Sequence, residues 1–343
     1  MSKRKIKNME EFAAQSGVSR PTVSKYFNDP KSVRKSTRNR IEEALEKYDY
    51  RPNVYAVNQN RRLTKNIGIV VPFVADPFFA EIVRTIEQAC IANGFSPTTF
   101  SSHGSVEHEM GILDTLRSIR PAGVLMAPLG RASNRQSIEK FCQDVPTVLF
   151  DSNIEGVGEA FVGSDNFQFV SMSVDYLCRT GEPPTFFEMD PVNPNANKRR
   201  NAYIDTMTRM GFEPHVIRVE GTGWGFEEIG YKGGLDLIGK KGGLPTKTVL
   251  CSNDRLAIGF LAACYEQGVQ VGHKPGCDLR VAGHDNHPVS RFTCPSLTTV
   301  SQDYEKISEC GLETLLKVIG EDRTSLPRQE VLFEGKLVMR ASA

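Results

Sequence analysis

Hydrophobic and polar positions follow two different periods along this 343-residue chain. Over residues 8–48 the apolar positions recur at helical spacing. Met9, Phe12, Ala13 and Ser16 form one stripe. Asn8 stands where an N-cap is needed, with Glu11 three residues on as the partner of a capping box. Gly17 tolerates the left-handed conformation that ends a helix. Val18 fills the corner and Ser19 caps a second helix, with Pro21 in its first turn, where the missing N–H costs least. Thr22, Ser24 and Lys25 remain on its polar side. A third helix, Ser36 to Tyr48, carries Ile41, Ala44, Leu45 and Tyr48 at the period that closes a small core. The pattern predicts a small all-α helix–turn–helix head over residues 1–51. A helix of this size fits the major groove, and its first turn reaches base edges.

From Asn66 the period changes. Short continuous apolar runs alternate with helical stretches: Ile67–Pro72, Gly123–Pro128, Thr147–Asp151, Thr248–Ser252 and Leu279–Asp285. Runs of this kind suit strands buried on both faces of a parallel sheet. Residues 79–93 place Phe79, Ile82, Val83, Ile86 and Cys90 on one helical stripe. Alternation of strands and helices predicts an α/β doubly wound architecture. At least ten strands over about 275 residues exceed one such unit, so two lobes are expected.

Overall charge conceals a division. The chain has 42 Lys and Arg against 41 Asp and Glu, but residues 1–65 hold 16 basic and 7 acidic side chains, a net of +9; the remainder holds 26 and 34, a net of −8. A basic head on an acidic body implies a polyanionic partner confined to one end, bound with steep salt dependence. No apolar run approaches eighteen residues and the N-terminus lacks the apolar core of a leader, so no membrane contact and a cytoplasmic, nucleoid-associated location are expected. The eight cysteines are scattered without a CxxC pair and read as buried free thiols in a reducing compartment.

Doubly wound sheets bind ligands beyond the carboxyl ends of their strands. Asp76-Pro-Phe-Phe79, Gly130-Arg131, Asn253-Asp254 and Asp285-Asn286 lie there. Carboxylates and amides with a planar cation and exposed aromatics suit a neutral polyhydroxy ligand: hydroxyls need donors and acceptors, and rings cover the C–H face of a sugar. Phe79 fits the helix stripe, so Phe78 is the better ligand wall. The first strand is followed by no GxGxxG, and there is no GxxxxGK[ST]; Gly239-Lys-Lys-Gly-Gly243 reads as a flexible turn. His284-Asp285-x-His287 lacks a third spaced metal ligand, and no nucleophile elbow is present. Neither a metal, a cofactor nor an enzymatic centre is expected.

Taken together, the chain resembles the lactose-repressor (LacI/GalR) family of bacterial transcriptional regulators over nearly its whole length. The resemblance is carried by Ala13, Gly17-Val18-Ser19, Thr22-Val23-Ser24 and Asn28, then Tyr50-Arg-Pro-Asn53, Ala56 and Ile67-Gly68, and finally Ser252-Asn-Asp254, Ala257, Gly259 and Gly283-His-Asp285. It implies the head, a hinge or linker over 52–65, and a two-lobed periplasmic-binding-protein-like effector and dimerisation domain over 66–343. The N-lobe would span about 66–163 and 289–321, the C-lobe about 164–288 and 322–343. Arg20, Pro21 and Lys25 would be the main base readers: Arg20 is suited to guanine, while Pro21 offers only apolar contact. Ser19, Thr22, Ser24 and Asn28 would position the helix on the backbone. In the hinge, Asn53, Gln59 and Arg61 would contact DNA, with Gln59 where the family places a minor-groove leucine wedge.

The same resemblance implies an effector site of Asp76, Phe78, Phe79, Arg131, Arg199, Trp224, Asn253, Asp285 and Gln302. Phe78 and Trp224 would stack on the ligand, while Asp76, Asn253, Asp285 and Arg199 would bond hydroxyls. A structural Arg199–Asp285 ion pair is the competing assignment. The function implied is a ligand-controlled repressor of carbohydrate or polyol uptake and catabolism, acting as a homodimer on a palindromic operator, with helix 79–93 a dimer-face candidate. The alternatives are a transport-type sugar-binding protein, a regulator with a purine or nucleoside effector, and a sugar-metabolising enzyme.

Overall fold

The computed structural model describes residues 6, 8–50, 64–239, 243–320 and 327–343. They fall into two compact units, Met1–Lys65 and Asn66–Ala343. The first contains α1 (Met9–Ser16), α2 (Arg20–Asn28) and α3 (Lys35–Tyr48). Asn8 Oδ1 accepts the Glu11 N–H at 2.9 Å, and Ser19 Oγ accepts that of Thr22 at 3.4 Å. Gly17 ends α1 at φ +63°, where the Arg40 guanidinium donates to its carbonyl at 2.9 Å and to that of Ser16 at 3.3 Å. Phe12, Val23 and Ile41 are fully buried. Tyr50 completes this core by stacking on Phe12 at 4.6 Å between ring centroids.

The second unit holds two parallel sheets. The first has the order β11-β5-β4-β3-β1-β2, from β1 (Asn66–Val71), β2 (Ser96–Ser101), β3 (Gly123–Met126), β4 (Thr147–Phe150), β5 (Ala160–Ser164) and β11 (Gln329–Phe333). Helices α4 (Pro77–Ala92) and α11 (Tyr304–Gly320) pack on one face through Ile82, Ile86 and Leu315. Helices α5 (Val106–Ile119) and α6 (Arg135–Asp144) cover the other through Leu116, Ile138 and Phe141. Full burial of each such side chain stabilises by about 1.5–3 kcal/mol, so both sheet faces must be covered.

The second sheet has the order β7-β6-β8-β9, from β6 (Thr185–Met189), β7 (Val216–Val219), β8 (Thr248–Cys251) and β9 (Arg280–Ala282). It lies between α7 (Asn166–Thr180) with α8 (Pro194–Arg209) and α9 (Phe226–Ile238) with α10 (Asp254–Glu266). Helices α9 and α10 approach so closely that a Cβ on Gly259 would stand 2.0 Å from the Glu227 carbonyl oxygen. That approach brings the first turns of the two helices side by side at the cleft.

Two of the three expected lobe crossovers move. Residues 289–302 stay with the second sheet: Leu297 and Val300 are buried in its cores, and Thr298 bridges to Ala282. The chain re-enters the first lobe at Tyr304. Strand β11 then pairs in parallel with β5, not with the second lobe, and β12 (Lys336–Val338) returns to pair antiparallel with β10 (Thr299–Ser301). The second crossover thus lies near 303, not 289, and the third near 334, not 322. The reason is edge pairing: β11 fills the edge of β5 that β4 leaves open.

Candidate functional site

On the head, Arg20, Pro21 and Lys25 are exposed along α2, while Val23 turns inward to the core. Ser19 is exposed beside them, its hydroxyl 2.8 Å from that of Thr22; Ser24 and Asn28 are half-buried. The arrangement presents a cation and a proline at the start of a helix whose other face is anchored. Asn53, Gln59 and Arg61, with most of the expected hinge, lie outside the described residues.

In the body, the strand ends of both sheets converge on a cavity of about 470 Å³ between the lobes. Asp76, Phe78, Phe79, Arg199, Trp224, Asn253 and Asp285 all line it. Asp285 follows β9 at φ +106°, a backbone strain typical of functional positions. Its carboxylate receives Arg199 Nη2 at 2.7 Å and Nη1 at 3.3 Å. Arg199 Nη1 also reaches the Ser252 carbonyl at 2.8 Å, and Nε reaches Asn166 Oδ1 at 3.1 Å. The ion pair named as the competing assignment is therefore formed, and Arg199's fork is committed to the wall. Asn253 caps α10, Oδ1 accepting the Leu256 N–H at 2.8 Å.

Asp76 differs from the expectation of a free hydroxyl acceptor. It caps α4 by accepting the Phe78 N–H at 2.9 Å, and its second oxygen receives Arg255 Nη1 from the opposite lobe at 2.8 Å. Arg255 also grips Glu227 with Nε and Nη2, each at 2.7 Å, and donates to the Trp224 carbonyl at 2.9 Å. Burial raises the Asp76 carboxyl above the usual range although Arg255 opposes it, whereas Glu227 and Asp76 hold Arg255 above its ordinary value despite its own burial. Trp224 stacks on Phe73 of the first lobe at 5.7 Å with planes 14° apart, and meets Phe79 and Phe226 edge-on. It thereby bridges the lobes.

Two expected residues fall elsewhere. Arg131 is exposed and does not line the cavity: a 3-10 turn over Gly130–Ala132 presses Gly130, at φ +75°, against Pro194 and turns the next side chain outward. Gln302 sits behind the wall, donating to Asp285 Oδ1 at 2.7 Å and accepting from the Ser164 hydroxyl, so it orients Asp285 and does not face the cavity.

Other lining residues went unrecognised. Arg255 gave no signal, because its partners lie on another helix and another lobe. Asp151 was legible as the carboxylate ending a buried strand; it now stands at φ +57°, with Asn195 Nδ2 at 2.9 Å from Oδ1. Burial lifts its carboxyl to about 7, Arg199 only partly offsetting this. Tyr304 donates its hydroxyl to the Asp285 carbonyl. His284 is fully buried against Phe169, and burial with the nearby Arg199 lowers it to about 3, so it is neutral. Among the described residues no group of three or more His, Cys, Asp or Glu is placed to hold a metal ion, all eight cysteines are free, and no helix is long and apolar enough to cross a membrane.

A helix–turn–helix head and a cleft between two parallel-sheet lobes define a ligand-binding DNA regulator as a class. Comparison with known proteins agrees with that architecture. Residues 8–53 match the lacI family of bacterial regulatory proteins, and residues 177–343 match the periplasmic binding protein-like domain. The chain is 27% identical to the HTH-type transcriptional repressor PurR of Actinobacillus pleuropneumoniae serotype 3, over 97% of each chain. It is 25% identical to the ribose operon repressor of Escherichia coli K12, over 98% of this chain and 99% of the other. The lac repressor dimer bound to operator and the anti-inducer ONPF superposes with a TM-score of 0.82 at 23% identity, over 99% of both chains. The chain carries a lacI-family DNA-binding head and a periplasmic-binding-protein-like ligand-binding body, the make-up of a DNA-binding transcriptional regulator.

Proposed function

We propose that this regulator is a repressor of carbohydrate or polyol uptake and catabolism genes, switched by a carbohydrate or polyol bound between the two lobes. The observation that carries this reading is the cavity itself. Aromatic faces from both lobes, Phe78 and Trp224, stand across from a hydrogen-bonding wall of Asp285, Asn253 and Asp151, the combination that polyhydroxy ligands require. Kinship with a ribose operon repressor supports the same ligand class. The protein acts in the cytoplasm and carries out no reaction on its ligand.

On the DNA side, Arg20 and Lys25 read bases from the exposed start of α2, Pro21 gives an apolar contact, and Ser19, Thr22, Ser24 and Asn28 set the helix on the backbone. The hinge over 52–65, with Asn53, Gln59 and Arg61, joins head to body. Likeness to an operator-bound dimer supports a homodimer on a palindromic site. Allostery then requires the effector to bind the DNA-competent and incompetent forms with different affinity.

The test is a thermal-shift screen of sugars, polyols, sugar phosphates and purines, followed by gel shift on genomic fragments with each hit. A sugar or polyol that raises the melting midpoint and alters operator affinity is the expected result. A purine as the sole hit would replace the effector class, and absence of salt-sensitive, sequence-selective DNA binding would end the repressor reading.

A further inference from the structure

One carboxylate of the inner cavity wall stands outside its ion pairs. Arg199 is paired with Asp285 at 2.7 Å, and Arg255 with Asp76 at 2.8 Å. Asp151 is the remainder. Among the described residues its carboxylate forms no ion pair; Asn195 Nδ2 serves Oδ1 at 2.9 Å, and Oδ2 has no donor. The other lining carboxylates are occupied: Glu81 by Arg84 at 2.5 Å, Asp190 by Arg218 at 3.6 Å, and Asp254 by Thr299 Oγ1 and the His287 N–H at 2.6 and 2.8 Å.

The unpaired Asp151 carboxylate disfavours a phosphate or carboxylate group placed beside it. A neutral hydroxyl can bond to Asp151 Oδ2 but leaves the buried charge uncompensated. An ammonium group supplies donors and the missing charge together, through a charge-assisted hydrogen bond. Aromatic rings in the same cavity are favourable neighbours for a cation.

We infer that the effector is an amine-bearing polyhydroxy compound, an amino sugar or aminopolyol, whose ammonium group is received by Asp151. This rests on the carbohydrate-or-polyol reading above and narrows it. Burial first of all lifts the Asp151 carboxyl to about 7; Arg199 and Lys198 pull it down, while Asp285 and Asp76 push it up. An arriving ammonium therefore displaces a proton from a partly protonated carboxyl at neutral pH.

The experiment is titration calorimetry of the full chain near pH 7, in two buffers of different ionisation enthalpy. The probes are D-glucosamine, D-galactosamine, D-mannosamine and glucamine, each beside its neutral parent, and for the three sugars the N-acetyl derivative. The expected result is one amine binding at least about tenfold tighter than its parent and acetylated forms, with proton release. In Asp151→Asn that preference and the release disappear, so that whatever affinity remains no longer distinguishes the amine from its parent. A parent or acetylated sugar binding as tightly as every amine overturns the ammonium inference and leaves the carbohydrate reading standing. Failure of every sugar and polyol to bind overturns both. The comparison among probes needs only the unsubstituted protein, so it stands even if the variant does not fold.

Discussion

Arg255 Nη1 lies 2.8 Å from Asp76 Oδ2 and joins the two lobes directly across the cavity. Both groups are largely removed from water, with side-chain exposures of 16% and 8%. The same guanidinium holds Glu227 in its own lobe with two hydrogen bonds at 2.7 Å. One cation thus ties the first turn of α10 to the cap of α4 and the first turn of α9. The closed arrangement is stabilised by groups that the ligand must displace or accommodate.

Removing the cation leaves the Asp76 and Glu227 carboxylates without their ion-pair partner. Arg255→Gln is expected to lower stability by about 1–3 kcal/mol, because breaking a buried pair costs more than the pair contributes. Asp76→Asn, which keeps the helix cap, should cost less. In a double-mutant cycle read by denaturant unfolding, the two changes should couple by about 0.5–3 kcal/mol. Additive effects would mean that the bridge does not hold the lobes in solution. Small-angle scattering should also show the Arg255→Gln body more extended than the parent.

The close approach of α9 and α10 is what lets Arg255 reach Glu227. A Cβ on Gly259 would sit 2.0 Å from the Glu227 carbonyl oxygen and 2.7 Å from the Tyr231 nitrogen, both backbone atoms. Gly259→Ala is therefore expected to separate the helices and destabilise by about 1–3 kcal/mol, as overpacking does. Effector affinity should fall with it, measured by calorimetry on the best ligand from the screen. An alanine variant with unchanged melting midpoint and affinity would contradict the helix spacing described here.

How much of this was legible beforehand follows from the range of the interactions. Asn8, Gly17 and Ser19 act within one turn of backbone, and the strands announce themselves by continuous apolar runs, so the head and both sheets could be read directly. Arg255 could not, because its carboxylate partner Asp76 is 179 residues away and no period links them. The β11–β5 pairing failed for the same reason: Gln329–Phe333 has a half-exposed, mixed pattern, as suits an edge strand. Arg131 was misplaced because a single left-handed glycine reverses the direction of the next side chain. The candidate site was thus legible in membership, but less so in which groups are already spoken for.

Base readout and phosphate binding by the head separate by salt and sequence. Arg20 is exposed at the first position of α2, whose N-cap Ser19 is already committed to Thr22. Arg20→Ala is expected to weaken binding to the selected operator by about 1–3 kcal/mol while changing non-specific affinity little. A uniform loss across sequences, with the salt slope reduced by about one, would assign Arg20 to a phosphate instead. Fluorescence anisotropy on matched and scrambled operators over a range of salt distinguishes the two outcomes.

The Asp151 carboxyl makes stability depend on pH in a direction opposite to an ordinary paired carboxylate. Its ordinary value is 3.8 and burial raises it to about 7 in the folded protein. Between these values the native state binds more protons than the unfolded chain, so this group's contribution falls as pH rises from 4 to 7 and is fully unfavourable above that. At about 1.4 kcal/mol per unit the ceiling is about 4 kcal/mol, which access to the cavity water reduces. Asp151→Asn removes the titration while keeping the shape. The variant's melting midpoint should match the parent near pH 4–5 and exceed it increasingly toward pH 8. A difference independent of pH would mean that Asp151 titrates as an exposed carboxylate, and a variant less stable at high pH would mean that a cation already compensates it.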